Sequence, residues 1–477
     1  MLFIVRQTKR FSVLDVVFDD ITADSNTCTC FSNKRKENKK KQQAIIYMDI
    51  ICSYTQEVLK TILGSRPWCK IVSCFDEILS KKPTSNRIRQ YQISDFENID
   101  WVPVMSGRHI TSSYLIRKGL SRKAQLSLQV KRYISKNPTS ILRNAIPYTI
   151  IIETWDAFED VRMNFGGGTF ANFNTTQIIS TSLRKRLEFC LQEVHELVEE
   201  RKDWLWILKP SVTNKGMDIA VVRNWEEILD HLEDIPDIRE WVLQKYIADP
   251  LLVEGWHKFH LRVYVVCVGA LNVYVYNDIL MLIGAHEYNV SDLDDIYGHL
   301  TNTARAVEDI HFDEEKFVQL LDDLPCHLFK NYRDMVRTMK DAQNKVQLIR
   351  SQIHEITKHL FACFENEYTI FAPMSNCFEI YGLDFMVDES FQVHLLEVNP
   401  GPDFKQTGSR LKQVILKLWD QVCSIIMDKD MSTTEERGGE ENTGIRIATE
   451  VPPNMTLVYS KEWSVSKHQG GMKMNSS

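Results

Sequence analysis

Two carboxylates and a carboxamide interrupt an apolar run late in this chain: Asp384, Glu397 and Asn399, within FEIYGLDFMVDESFQVHLLEVNPGPD at 378–403. Burying an unpaired carboxylate costs several kcal/mol, so two close together need a compensating partner. The run reads as two strands of a hairpin. With DESF (388–391) as a four-residue turn, Val387 faces Gln392 and Asp384 lies opposite Leu395. Glu397 is then its diagonal neighbour on the same face, and Asn399 follows two residues on, because strand side chains alternate. Leu383, Phe385, Leu396 and Val398 point the other way. A different turn length reverses this parity. Converging oxygens with no nearby cysteine suit Mg2+, which keeps waters and shares phosphate oxygens. A solvent-facing hairpin with its polar residues outside is the plain alternative.

Cationic groups recur on other strand-like runs. WLWILKPSVTNKGMDIAVV ends an aromatic and aliphatic strand on Lys209, then enters a small-residue loop with Lys215 and Gly216. A lysine there meets phosphate as a point charge, and a glycine lets the backbone approach it. WVLQKYIADPLLVEGWHKFHLRVYVV carries Gln244, Lys245, Tyr246 and Ile247, then Lys258, His260 and Arg262 alternating on one strand face. Three such groups repel unless an anion lies between them. HLTNTA (299–304) adds a polar cluster that includes Asn302.

The elements that must hold these groups come next. A length of 477 residues predicts two to three domains at roughly 150 residues each. Hydrophobic content of 44% and charged content of 25% are those of a soluble globular chain, and a net charge of −7 excludes a generally basic nucleic-acid binder. Eleven scattered cysteines without matching spacings read as isolated thiols of a reducing cytosol rather than a zinc framework. No apolar run is long enough for a signal peptide or a membrane span, so the expected location is cytoplasmic. Residues 1–44 read as a disordered extension; its charge run NKRKENKKKQQ is a linker or, alternatively, a nuclear-import signal. AIIYMDI, SYTQEVLKTIL and WCKIVSCF predict a β-α-β start to a small α/β domain, and 45–137 is the expected domain with its basic region.

From Arg108 to Lys136 there are eight Lys or Arg and no Asp or Glu, with Leu120, Ala124, Leu128 and Ile134 at helical spacing. This segment is either a solvated helix face or a docking surface for an acidic partner; RNA is a further option. FGGGTF (165–170) matches neither a P-loop nor a dinucleotide fingerprint and reads as a loop. Leu183, Leu187, Leu191, Val194 and Val198 form the stripe of an amphipathic helix. The stretch 310–362 reads as a helical insertion or outer layer, and 429–477 as a disordered tail.

In order, W-I-x-K-P at Lys209, Q-K-Y-I-x-x-P-L-L at 244–252, H-K-F-x-x-R at 257–262, H-L-T-N at 299–302, and G-x-D-F-M-V-D with L-x-E-V-N at 382–399 resemble the tubulin–tyrosine ligase family of ATP-grasp enzymes. The resemblance covers about 45–425 and has a fungal character. It implies an α/β (α+β) ATP-grasp fold with a small amino-terminal α/β domain, a central lobe over 138–246 and a carboxyl-terminal lobe over 247–428. ATP and Mg2+ are the implied cofactors. Lys209, Lys215, Lys258, His260 and Asn302 would contact nucleotide, with adenine at the main chain of Gln244, Lys245, Tyr246 and Ile247. Asp384, Glu397 and Asn399 would hold Mg2+, and Arg262, Lys258 and Glu397 would be catalytic, Arg262 stabilising the transferring phosphoryl group. The implied reaction activates a carboxylate as an acyl phosphate that an amine attacks.

Three positions depart from the family pattern. His260 stands where aspartate is usual, Leu282 where arginine is common, and Asp218 where glycine is common. A neutral imidazole lacks the carboxylate's charge, and leucine cannot pair with a phosphate or carboxylate. The leading expectation is a monomeric ligase that adds tyrosine to the acidic carboxyl-terminal tail of α-tubulin, at the microtubule. A different amino-acid donor or acceptor stays open. So does an altered ATP-grasp interaction protein of mRNA-processing bodies, with RNA or proteins of those bodies as partners.

Overall fold

A computed structural model of the chain describes residues 43–75, 88–154, 181–212, 217–235, 237–253, 255–301, 314–407, 411–432, 444–446 and 450–461. Lys215, Asn302, the FGGGTF loop and nearly all of 1–44 lie outside the described residues.

The β-branched start forms β1 (Gln43–Asp49), then the helix Ser53–Gly64 and β2 (Cys69–Val72), as its change of period predicts. β3 (Ile88–Ser94) and β4 (His109–Thr111) complete a parallel sheet in the order β2-β1-β3-β4.

A second, antiparallel sheet follows. β5 (Thr149–Glu153), β6 (Trp206–Pro210), β7 (Ala220–Val222) and β8 (Glu240–Lys245) lie in the order β5-β8-β6-β7. The helices Thr181–Glu200 and Trp225–Asp234 share its core. Leu187, Leu191, Val194 and Val198 are buried there with Trp206, Leu208, Trp241 and Leu243. Each buried aliphatic side chain contributes about 1.5–3 kcal/mol. Strand alternation turns Ile207, Lys209 and Gln244 to the other face.

The third sheet is built on β10 (His257–Val268), which follows the short β9 (Leu252–Val253). β11 (Asn272–Tyr276) and β12 (Leu280–Glu287) flank β10 on one side, with β13 (Val318–Leu320) beyond β12. β14 (Phe378–Val387) pairs with β10 and with β15 (Val393–Pro400), and β16 (Met455–Ser460) pairs with β11. Alternation along β10 gives it two different faces. Phe259, Leu261, Val263, Val265 and Cys267 join one core with the long helix Met339–Cys363. Tyr264, Val266 and Val268 join another with the helices Ser53–Gly64 and Lys412–Cys423. On that second face, the first half of β10 carries Lys258, His260 and Arg262 instead.

Several expectations change here. The helix Met339–Cys363 packs one face into the core: Ile349, Ile353, Ile356 and Leu360 are fully buried, and a Thr338–Asp341 capping box fixes its start. Disorder over 429–477 does not hold for Met455–Ser460, which forms β16. On the helix Lys123–Lys136 the buried face is Ala124, Leu126 and Val130, whereas Leu128 is 56% exposed.

The basic segment is not one surface either. Arg117 pairs with Glu379, which is 1% exposed. Glu379 also accepts from Tyr381 Oη at 2.6 Å and from the Tyr114 amide at 3.2 Å. Lys123 turns inward as well. Arg108, Lys118, Arg122, Lys131, Arg132 and Lys136 remain exposed.

All nine described cysteines are free thiols. Among the described residues no helix is long and apolar enough to cross a membrane.

Candidate active site

The hairpin β14–β15 reaches the expected convergence by an unexpected register. Its turn is one residue longer, pairing Val387 with Val393 through the five residues 388–392. Asp388 Oδ1 holds that turn, accepting from the amides of Ser390 and Gln392 at 2.9 Å each. The longer turn alone would reverse the parity. A bulge restores it: Phe385 pairs with Leu395, but Asp384 pairs with Glu397, so Leu396 is the extra residue. Asp384 and Glu397 therefore stand directly opposite each other, not diagonally. Leu395 takes the core place expected for Leu396, while Leu396 lines the cleft.

Asn399 ties the two carboxylates together. Its Nδ2 donates to Asp384 Oδ2 at 3.1 Å and to Glu397 Oε1 at 3.0 Å. Arg262 grips Asp384 bidentately, through Nε on Oδ1 and a terminal nitrogen on Oδ2 at 3.0 Å. Gly382 makes room for this arginine, since a Cβ there would lie 3.0 Å from Arg262 Cδ. Lys123 Nζ reaches Glu397 Oε2 at 3.1 Å.

These partners push the two acids apart. Burial raises Asp384 to about 6, against the opposing pull of Arg262. Burial also pushes Glu397 up, but Lys123, the Asn399 hydrogen bond and Lys209 overcome it and hold the carboxyl well below the usual range. Glu397 is the firmly ionised member.

Burial lowers the ammonium of Lys209, on the second sheet, to about 8 and that of Lys258, on the same sheet as the hairpin, to about 7. Lys209 Nζ donates to Gln244 Oε1 at 2.9 Å, and Lys258 Nζ donates to Tyr246 Oη at 2.7 Å. Tyr246 Oη is 2.6 Å from His299 Nδ1, whose Nε2 lies 2.9 Å from the Asp292 carbonyl. A carbonyl only accepts, so Nε2 carries the proton, Nδ1 accepts from Tyr246, and the tyrosine oxygen is left to receive Lys258. The amides of Lys245 and Tyr246 donate to the carbonyls of Tyr148 and Leu205, at 2.8 Å each.

Both lysines and both acids line one cleft between the second and third sheets. Pro147, Ile207, Ile219, Met386 and Leu396 give it apolar walls, and Gln244 to Ile247 form part of its rim. A mixed apolar and polar lining of this kind suits a cofactor. Two carboxylates and a carboxamide are hard oxygen donors, suited to Mg2+. Among the described residues no group of three or more His, Cys, Asp or Glu forms a metal cage. An ion that takes one or two carboxylates and completes its shell with phosphate oxygens and water fits such an open site.

The departures from the family pattern also find places. His260 and Leu282 are cross-strand partners on β10 and β12, so the expected aspartate and arginine positions face each other. Asp218 has φ 59, a left-handed conformation that glycine adopts without cost. It is not among the residues lining the cleft, although the adjacent Ile219 is. Residues missed by sequence reasoning are Lys123, Thr301 and Met386. Lys123 carried no local signal, because its partner Glu397 lies far along the chain.

A cleft between two sheets, with Lys209 on the second and Lys258, Asp384 and Glu397 on the third, is that of an ATP-grasp protein. A solved structure agrees: "the C-terminal domain from K. lactis Pby1, an ATP-grasp enzyme interacting with the mRNA decapping enzyme Dcp2", matches with a TM-score of 0.54 and 26% identity, over 84% of this chain and 98% of that one. The chain belongs to the tubulin-tyrosine ligase family, whose family model matches residues 166–434. A "Probable tubulin--tyrosine ligase" of Schizosaccharomyces pombe is 30% identical over 389 residues, covering 74% of this chain and 87% of that protein. The "Probable tubulin--tyrosine ligase PBY1" of Saccharomyces cerevisiae is 29% identical over 433 residues, covering 82% of this chain. The match spans only 52% of that relative's own length.

Proposed function

We propose that the chain is an ATP-dependent carboxylate–amine ligase, and that it adds tyrosine to the carboxyl end of α-tubulin. The observation that carries this reading is the convergence on one cleft of Lys209 from the second sheet with Lys258, Asp384 and Glu397 from the third. ATP would lie with its base against the apolar walls near Ile247 and its phosphates between the two lysines. Asp384, Glu397 and Asn399 would hold Mg2+, which when bound neutralises phosphate charge. Arg262, held by Asp384, would stabilise the charge that develops on the transferring phosphoryl group. The acceptor's carboxylate oxygen attacks the γ-phosphorus, ADP leaves, and an acyl phosphate forms. The donor's amine then attacks the acyl carbon, phosphate departs, and the amine loses its proton. Enclosure between the sheets favours amine over water as the attacking group. The exposed Arg122, Lys131 and Lys136, with Arg132 held near Glu367, would offer positive charge to an acidic acceptor tail.

Nucleotide affinity by titration calorimetry, with and without Mg2+, tests the cleft. ADP release with detyrosinated tubulin and each amino acid, read by mass spectrometry of the acceptor, tests the specificity. Tyrosine incorporation supports the full reading; ADP release with another donor moves the specificity and keeps the ligase. Nucleotide binding without any ligation favours a second reading, an ATP-grasp module of mRNA decapping complexes. The interaction of the K. lactis protein with the mRNA decapping enzyme Dcp2 and the loss of charge at His260 and Leu282 support that alternative.

Proton linkage gives an independent check. A polyanion favours the ammonium form of Lys209, which burial lowers to about 8. Binding at pH 8.5, as flagged by calorimetry at about that pH in buffers of different ionisation enthalpy, should therefore take up protons. Affinity should fall as pH rises from about 7 to 9, because the neutral amine dominates on the alkaline side. Binding with no proton uptake would place the phosphates away from Lys209.

A further inference from the structure

Two cationic side chains of the cleft are deeply buried without a counter-ion. Lys258 is 2% exposed and Lys209 is 7% exposed, and neither makes an ion pair with a described residue. A buried charge ordinarily needs one. Each ammonium is held instead by a chain of neutral groups that ends on a main-chain carbonyl. Lys209 Nζ donates to Gln244 Oε1, Gln244 Nε2 donates to Thr149 Oγ1 at 3.0 Å, and that hydroxyl donates to the Pro147 carbonyl at 2.7 Å. Lys258 Nζ donates to Tyr246 Oη, Tyr246 donates to His299 Nδ1, and His299 Nε2 donates to the Asp292 carbonyl. A carbonyl only accepts, so each chain runs in one direction and turns an oxygen lone pair toward its lysine. The second chain joins three parts of the fold: Tyr246 directly follows β8, Lys258 lies on β10, and His299 closes the short helix Ile296–His299. The Lys258 ammonium also lies 4.2 Å from the centroid of the Tyr246 ring and 5.4 Å from that of Tyr288. The titratable groups facing it are thus Tyr246, Tyr288, His299, Lys209 from β6 and His260 from β10, and none of these is a carboxyl group.

We propose that the Tyr246 hydroxyl and His299 are positioning residues: they hold the Lys258 ammonium in place for the nucleotide phosphates and leave its charge uncancelled. The inference rests on the nucleotide reading of the cleft given above. A carboxylate in the place of that hydroxyl would fix the lysine equally well, but a polyanion would then have to displace it or be repelled by it. A neutral oxygen supplies position and favours the ammonium form without opposing the ligand. His299 contributes by taking the tyrosine proton, which keeps Oη an acceptor and strengthens it as one. Loss of the hydroxyl therefore weakens proton binding at Lys258 as well as its placement, and the nucleotide binds with a changed pH profile.

The test uses NMR of the full chain carrying lysine labelled with ¹³C at Cε, with ADP and Mg2+ as the probe. The Lys258 signal is the one missing from Lys258→Arg. In wild type, ADP should raise the pH midpoint of that signal. In Tyr246→Phe the nucleotide-free midpoint should fall by about one pH unit, a ~10-fold weaker hold on the proton. ADP affinity by calorimetry should then fall about 10-fold at pH 8, where little of the variant's lysine is charged, and the deficit should shrink toward pH 6. His299→Ala should lower the midpoint in the same direction, and His299→Asn, which keeps an acceptor near the Nδ1 position, should restore it. That pair reads the same chain should Tyr246→Phe fail to fold. A midpoint unmoved in Tyr246→Phe, or an affinity deficit equal at both pH values, would overturn the proposal. His299→Asn behaving like His299→Ala would remove His299 from it. If these fail while ADP still moves the wild-type Lys258 signal, the nucleotide site stands without the positioning role. ADP that leaves that signal unmoved would remove the nucleotide reading and this inference together.

Discussion

Glu397→Gln is expected to lower ligation turnover at least ~100-fold, the scale of losing one preorganised charge partner. Glutamine keeps the shape and can still accept from Asn399, so the change isolates the charge. That charge is unusually secure in the native chain, since Lys123, Asn399 and Lys209 all favour the ionised form. Its removal leaves Lys123 and Lys209 facing a cleft with Asp384 as the nearer acid, and Asp384 is already committed to Arg262. Nucleotide titration should separate two components in this variant. The Mg2+-dependent part of the affinity should be lost, while the part due to the lysines and the apolar walls persists. Steady-state ADP release measures the first effect. Unchanged turnover would remove the metal from the hairpin altogether.

Arg117→Met is expected to cost about 3–5 kcal/mol of stability at neutral pH, the usual penalty for orphaning a buried charge. Glu379 is 1% exposed, and burial raises its pKa against the opposing charge of Arg117. Without the arginine its pKa should climb further. The sign follows from proton linkage: a carboxyl with a raised folded-state pKa binds more protons native than unfolded, so stability falls as pH rises past the unfolded value. The deficit should shrink on going from pH 7 toward about pH 4.5, where Glu379 protonates in both states. Urea unfolding at the two pH values measures it. A variant as stable as wild type at pH 7 would mean that Tyr381, Ser113 and the Tyr114 amide suffice for that carboxylate.

What could be read in advance follows a physical line. Local periodicity identified the helix through Leu187, Leu191, Val194 and Val198, and the strands carrying Lys209 and Lys258, because one face of each is buried. The hairpin is instructive: its acids converge although the turn length and the pairing were both misjudged. A longer turn and the bulge at Leu396 each shift parity by one residue, and the two shifts cancel. Periodicity reports parity only, so it cannot see such a cancelling pair. Contacts distant along the chain left no local trace. Arg117 and Lys123 belonged to a run that looked solvated, yet their carboxylates lie in β14 and β15. The helix Met339–Cys363 did carry a signal, with Ala342, Val346, Ile349, Ile353, Ile356 and Leu360 in near-heptad spacing. Charged residues on its outer face outweighed it.

The strand Met455–Ser460 has a practical bearing on how this chain is handled. It covers the free side of β11, whose five residues Asn272–Tyr276 are all buried. Cutting the polypeptide just past the helix Lys412–Cys423, where composition invites a shortened expression clone, would bare a β-branched and aromatic ladder to other copies. Such a product would tend to stack edge to edge and come out of solution, however sound its nucleotide cleft.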